Sequence, residues 1–147
     1  MKNIFILIYI ILTNFTFICT IDNLCKFKET LISETVEMDL RCGYKQNKFN
    51  YEEGVFISFS YRDSSSIVIF DGVNVKFPIL SKENGYIPCE IDTVNNFIKI
   101  TGSKDGLYWR EDVHTNRVRV FYINVPDDKR NLYDELLDSF NILKPSG

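Results

Sequence analysis

Hydrophobic and polar residues alternate along much of the chain with a period of two, which is typical of half-buried β-strands. The dipeptide Asp71-Gly72 stands between two such runs and predicts a tight hairpin turn. Residues 43–50 are mostly polar and predict a loop. The pattern as a whole predicts an all-β fold, an antiparallel β-sandwich or barrel of about eight short strands. The clearest alternation covers residues 36–42, 55–61, 73–79, 87–91 and 118–124.

The only convincing helix follows Pro126. Leu132, Leu136, Leu137 and Phe140 recur at the three-to-four spacing of an amphipathic helix, and acidic residues stand at its predicted start. We therefore predict one C-terminal α-helix at about residues 127–141, lying across an open end or an edge of the strands. Residues 21–147 are expected to form a single β-rich domain with this helix.

The first twenty residues have the pattern of a targeting segment. Lys2 precedes an almost wholly apolar stretch over residues 4–19, and Asp22 ends it. Sixteen helical residues span roughly 24 Å, less than the ~30 Å hydrocarbon core of a membrane. Residues 1–20 are therefore predicted to be a cleavable secretory signal peptide. An uncleaved anchor or a buried strand are the alternatives. The mature domain is expected to be secreted, with no stable membrane anchor.

Charge and composition remove several function classes. Seventeen basic and twenty acidic residues give a net charge of −3, which does not favour nucleic-acid binding. A single histidine and the absence of a glycine-rich phosphate loop argue against common catalytic sites. We expect a protein that is not an enzyme, with no cofactor and no metal.

The cysteines predict a disulfide bond. Cleavage near residue 20 leaves Cys25, Cys42 and Cys89 in a compartment that favours oxidation. Cys42 ends one alternating run and Cys89 lies within another, so both are expected to point inward. This favours a Cys42–Cys89 bridge across the core. A bridge from Cys25 to either partner, or three unpaired thiols, are the alternatives.

One region is denser in chemistry-bearing side chains than the rest. Aromatic, amide and charged groups together can hold a sugar on a sheet face, and the same residue types are enriched at protein-interface hot spots. A buried tryptophan within a solvated hairpin would also fit. The candidate binding residues are Tyr108, Trp109, Arg110, Glu111, His114, Asn116, Arg117 and Arg119.

We therefore expect a secreted, non-catalytic domain that recognises an extracellular protein partner. An exposed Trp109 within an apolar patch would support this interpretation. A carrier of a small apolar ligand is the first alternative, and it requires a cavity lined by residues such as Phe59, Phe70 and Phe77. A lectin-like domain that binds a glycan is the second alternative.

Overall fold

The computed structural model describes residues 23–73 and 79–144, which contain ten strands and one α-helix. The predicted signal peptide and most of the run at 73–79 lie outside these residues. The helix α1 is Arg130–Asp138, preceded by a 3-10 turn at Asp127–Lys129. The strands are β1 (Leu24–Thr30), β2 (Thr35–Arg41), β3 (Lys45–Tyr51), β4 (Gly54–Ser60), β5 (Ser66–Gly72), β6 (Ile87–Val94), β7 (Phe97–Lys104), β8 (Leu107–Val113), β9 (Val118–Val125) and β10 (Asn141–Leu143).

The strands form two antiparallel sheets. A large sheet has the order β3-β4-β5-β9-β8-β7-β6, and a small sheet has the order β1-β2-β10. Consecutive strands pair within each half of the large sheet, and the halves join where β5 pairs with β9. The connection from β5 to β6 therefore runs from the middle of the large sheet to its far edge. The all-β prediction is confirmed, and the arrangement is a sandwich rather than a barrel.

The main core lies between the two sheets and under α1. Val36, Met38 and Leu40 of β2 are all at most 1% exposed, as their alternation with acids and Arg41 predicts. They pack in one cluster with the alternate residues of β4, β5 and β9 and with one side of the helix. The face of the large sheet that this core covers is called the inner face below, and the opposite face is called the outer face.

The helix is shorter than its sequence pattern predicts. Leu136 and Leu137 are buried as expected, but α1 ends at Asp138. Residues 141–143 form β10, which pairs with β2. A strand of three residues carries too little alternation to be distinguished from the end of a helix.

Two other local predictions were wrong. The polar stretch at 43–50 is largely strand β3, whose regular pairing with β4 runs from Lys45 opposite Ser60 to Tyr51 opposite Gly54. It is polar because it is the edge of the sheet and much of it faces solvent.

Asp71-Gly72 is the end of β5 and not a turn. A Cβ atom on Gly72 would lie 2.2 Å from the Glu53 carbonyl oxygen, so close packing explains this glycine.

The disulfide prediction also needs correction. The bridge joins Cys25 and Cys42, whose Cα atoms are 5.3 Å apart, and Cys89 is an exposed unpaired cysteine. The pairing of β6 with β7 shifts register between Pro88 and Glu90, which leaves Cys89 without a partner residue on an edge strand. The bulge breaks the alternation from which an inward-pointing Cys89 was predicted.

No helix within the described ranges is long and apolar enough to cross a membrane.

Candidate functional site

The predicted binding residues of β8 do not share a surface. Successive side chains of a strand point to opposite faces of the sheet, so Arg110 lies on the inner face while Trp109 and Glu111 lie on the outer face. None of the three is more than 1% exposed. Trp109 is therefore not the exposed residue that would have supported protein recognition at this face, and these three side chains cannot contact a partner.

Arg110 fastens the helix to the large sheet. Its guanidinium donates to Asp112 on the same strand, at 2.8 Å from Nε and 2.7 Å from Nη2, and to Asp138 of α1 at 2.5 Å. A third acid, Asp134, accepts from Nη1 at 3.3 Å and from the Tyr122 hydroxyl at 3.0 Å. Burial on its own would lower the pKa of Arg110, but these carboxylates outweigh burial and raise it. The role of Arg110 is therefore structural.

Glu111 and Trp109 hold the β5–β6 connection against the outer face. The Glu111 carboxylate accepts from the backbone N–H groups of Ile79 and Leu80 at 2.9 and 3.0 Å. Trp109 packs edge-on against Tyr86, with ring centroids 5.8 Å apart. Burial raises the pKa of Glu111, although the two backbone donors oppose that shift. Both side chains are occupied by contacts within the chain.

Three of the other predicted residues meet around one cavity. His114, Asn116 and Arg119 line a cavity of about 570 Å³ at the ends of the β6–β7 and β8–β9 hairpins, together with Phe97 and other residues. The imidazole of His114 stacks on Phe97, with ring centroids 4.7 Å apart. Burial and the positive charge of Arg110 lower the pKa of His114 to about 4, so the ring is neutral at physiological pH. The stacked rings of His114 and Phe97 therefore give this cavity an uncharged aromatic wall.

The last two predicted residues lie elsewhere and serve the fold. Arg117 places its Nε 3.3 Å from a carboxylate oxygen of Asp71, which is fully buried and also accepts from the backbone and hydroxyl of Ser33. Tyr108 is half-buried beneath the guanidinium of Arg130, 4.6 Å from its ring centroid. The eight predicted residues are thus divided between two faces and one hairpin end.

A different surface carries the exposed aromatic residues. Phe49 and Tyr51 of β3 are 46% and 58% exposed, and their rings stack with centroids 6.5 Å apart. Tyr51 also meets Phe56 of β4 edge-on at 5.8 Å. Together they line one side of a groove of about 460 Å³ on the outer face. We call this surface the aromatic groove. It is formed by Phe49, Tyr51, Phe56, Ser58, Val68 and Phe121.

The groove continues into the open edge of the large sheet. In β3 the residues Lys45, Asn47, Phe49 and Tyr51 share one face, since each lies two positions from the next. Among the strands of residues 23–73 and 79–144, β3 pairs with β4 on one side only. The backbone N–H and C=O groups on its other side can therefore pair with an added strand.

Sequence reasoning missed this surface because residues 43–50 were interpreted as a loop. A usable signal was present, since Phe49 and Tyr51 alternate with Lys48 and Asn50. Alternation of aromatic and polar residues next to a hydrophobic strand is typical of an edge strand that exposes one apolar face to solvent.

Cation sites were also considered. Across residues 23–73 and 79–144, no three His, Cys, Asp or Glu side chains are grouped as metal ligands would be. Asp112, Asp134 and Asp138 do converge, but on the guanidinium of Arg110.

Comparison with known proteins supports the fold and nothing finer. No protein-family model and no curated protein sequence matches this chain. Among solved structures, the chain is similar to the solution structure of cyanobacterial PsbP (CyanoP) from Synechocystis sp. PCC 6803. The TM-score is 0.54 and the sequences are 16% identical, over 84% of this chain and 94% of that chain. At this identity the likeness is one of β-rich architecture.

Proposed function

We propose that this protein is a secreted, non-catalytic binding domain that recognises an extended segment of an extracellular protein through the aromatic groove. The observation that carries the proposal is the stacked pair Phe49 and Tyr51, two large apolar side chains that are about half exposed on an edge strand. Exposed aromatic residues grouped in this way are typical of protein-binding surfaces.

The edge of β3 supports an extended ligand. A strand laid against β3 would gain backbone hydrogen bonds, and every second side chain of that strand would point toward the groove. Lys45 lies on the same face as Phe49 and Tyr51 and forms no ion pair with the residues that the structure describes. A matching partner segment therefore alternates apolar residues in register with the aromatic groove and places an acid near Lys45.

The disulfide supports secretion. Cys25 and Cys42 are bonded in this structure, and such bonds persist mainly in oxidising compartments. The proposal gives His114 no catalytic role: its ring packs against Phe97 and Phe140, and its buried Nε2 has no hydrogen-bond partner among the described residues.

Selection from a displayed library of short random peptides tests the proposal. We expect enriched peptides to alternate apolar residues and to carry an acid at one end. Binding of the enriched peptides should fall at least about tenfold in Tyr51→Ser and Phe49→Ser, because each change removes a central aromatic contact. Ile87→Ser is the matched control, since Ile87 is 60% exposed on the opposite edge of the sheet.

Equal binding by wild-type and Tyr51→Ser protein would overturn the proposal, provided that thermal unfolding shows both to be folded. Peptides that bind but lose affinity only in Ile87→Ser would move the interface to β6. Concentration-dependent self-association that Tyr51→Ser abolishes would identify the partner as a second copy of this chain.

A second candidate function is the binding of a small ring-shaped polar ligand, such as a sugar, in the cavity beside His114. Asn95, Asn96 and Asn116 contribute amide groups to this cavity, and Phe97, Ile98 and Val113 contribute apolar surface. The resonance of His114, the one histidine of the chain, should shift on addition of a monosaccharide that binds there. An unchanged resonance across a panel of monosaccharides would exclude the sugar interpretation.

The apolar-carrier alternative receives no such support. Phe59 and Phe70 are both fully buried, but Phe59 lies on the inner face and Phe70 on the outer face. They do not line a common cavity, and Phe77 lies outside the described residues.

A further inference from the structure

A second concave surface lies beside the disulfide, at the end of β4 that is farther from Tyr51. Its volume is about 380 Å³, and it forms where the end of β2 meets the β4–β5 turn and the 3-10 turn before α1. Arg41, Arg62 and Lys129 line it together with a single acid, Asp63. The local formal charge is therefore +2, in a chain whose net charge is −3.

Asp63 is occupied by groups of its own chain. One carboxylate oxygen accepts from the backbone and hydroxyl of Ser65, and the other lies 2.5 Å from Lys129 Nζ and 3.4 Å from Arg41 Nη1. Burial would raise the pKa of Asp63, but the hydrogen bonds from Lys129 and Ser65 outweigh it and hold the pKa well below its usual range. Asp63 thus stays ionised and positions two cations on the cavity wall.

Lys129 keeps donors to spare. An ammonium has three N–H donors, and one carboxylate oxygen of Asp63 takes only one of them. Arg62, by contrast, is exposed at the rim and forms no ion pair with any residue that the structure describes.

The hydroxyl of Tyr61 is an independent indication that this cavity binds a ligand. Tyr61 lines the cavity, only 9% of it is exposed, and its buried hydroxyl, which lies beside the backbone of Arg41, donates to no acceptor among the described residues. Burial raises the pKa of Tyr61, so the hydroxyl keeps its proton and can donate. A buried hydroxyl without an acceptor costs folding free energy, and a bound acceptor would recover that cost.

We propose that this cavity binds a tetrahedral oxyanion, a sulfate or phosphate group, with the Tyr61 hydroxyl as a donor and Arg62 and Lys129 as counter-charges. Planar guanidinium and ammonium groups beside a hydroxyl are the donors that such anions prefer. The cavity is much larger than one anion, so the group is carried by a small polar molecule of about the size of a monosaccharide.

Calorimetric titration of the full domain at low ionic strength tests this proposal, with sodium sulfate, sodium phosphate and glucose 6-phosphate as separate probes. We expect glucose 6-phosphate to bind at least as tightly as the inorganic ions. Arg62→Gln and Tyr61→Phe should each weaken binding about tenfold, because each removes one hydrogen-bond donor to a charged group. Lys82→Gln is the control, since it removes an equal charge from an exposed site outside the cavity.

Tyr61→Phe separates a binding role from a structural one. The substitution removes a hydroxyl that has no acceptor in the structure and keeps the buried ring, so its thermal unfolding midpoint should not fall. Loss of binding with undiminished stability is therefore the supporting result. Binding of the inorganic ions alone would limit the site to free oxyanions. Absence of heat with all three probes, or binding unchanged in both Tyr61→Phe and Arg62→Gln, would overturn the proposal.

Discussion

The guanidinium of Arg110 and the carboxylate of Asp112 face each other through two parallel hydrogen bonds, and neither side chain is exposed to solvent. Their spacing of two residues places both on the inner face of β8, beneath α1. A bidentate pair of this kind is directional, so it fixes where the helix acid Asp138 can approach. The ion pair and the helix therefore form one stabilising unit.

Asp112→Ala should lower the free energy of unfolding by about 3–5 kcal/mol, because it leaves the Arg110 guanidinium buried with only its helix partners. Urea denaturation at neutral pH measures the change. Arg130→Ala is the control, since Arg130 is 39% exposed and its Nε lies 3.8 Å from Asp134. That exposed pair should contribute no more than ~1 kcal/mol. Equal losses in the two variants would show that the buried pair is not the stronger contact.

Leu136→Ala should cost about 2–4 kcal/mol of stability, because Leu136 is 2% exposed and packs in the core between the sheets. The neighbouring exposed Glu135→Ala should change stability by no more than ~0.5 kcal/mol. Chemical denaturation of both variants measures the difference. A loss in Leu136→Ala as small as that of the control would mean that α1 is peripheral to the fold.

Acid should destabilise the protein through His114. Its pKa is about 4 in the folded chain against an ordinary value of 6.5, so the unfolded chain binds more protons between these values. Stability from this group is complete above pH 6.5 and is lost as the pH falls toward 4. His114→Phe keeps an aromatic ring beside Phe97 and should flatten this part of the profile. Denaturation curves at several pH values, with wild type as reference, measure it. Parallel profiles would contradict the lowered pKa.

Alkylation under denaturing, non-reducing conditions should modify Cys89 and leave Cys25 and Cys42 unmodified. Peptide mass spectrometry identifies the modified residue directly. Removal of the bridge by Cys25→Ser and Cys42→Ser should cost about 3 kcal/mol, since the two cysteines are 17 residues apart in sequence. Cys89→Ser should leave stability nearly unchanged, because this residue is exposed. A modified Cys42 would contradict the observed pairing.

Sequence alternation was most informative where one face of a strand is solvated and the other is covered. Val36, Met38 and Leu40 are buried as predicted because β2 has this simple arrangement. The same reasoning failed in β6, where the bulge at Cys89 changes which face each residue takes. Bulges depend on pairing with a neighbour and leave little mark on one strand's own sequence.

The candidate site was harder to predict than the fold. The cluster from Tyr108 to Arg119 is dense in sequence, but its spacing could not show that both faces of β8 are covered. Glu111 is buried because a distant segment, at Ile79 and Leu80, crosses the outer face and donates to it. The alternation within one strand carries no information about such a distant segment. His114 and Asn116 do lie together, as their closeness in sequence predicts, because they share a hairpin end.

The place of β10 has a consequence for how the protein is made. Ile142 lies opposite Val36, so the small sheet is complete only when residues more than a hundred positions apart have met. Contacts between residues this far apart form late and slowly, because the entropy cost of closing a long loop must be met before the contacts stabilise the chain. While the ribosome is still adding residues 141–143, β2 keeps one open side. At that stage the small sheet is a two-stranded ribbon of β1 and β2, and such a ribbon is at most marginally stable by itself.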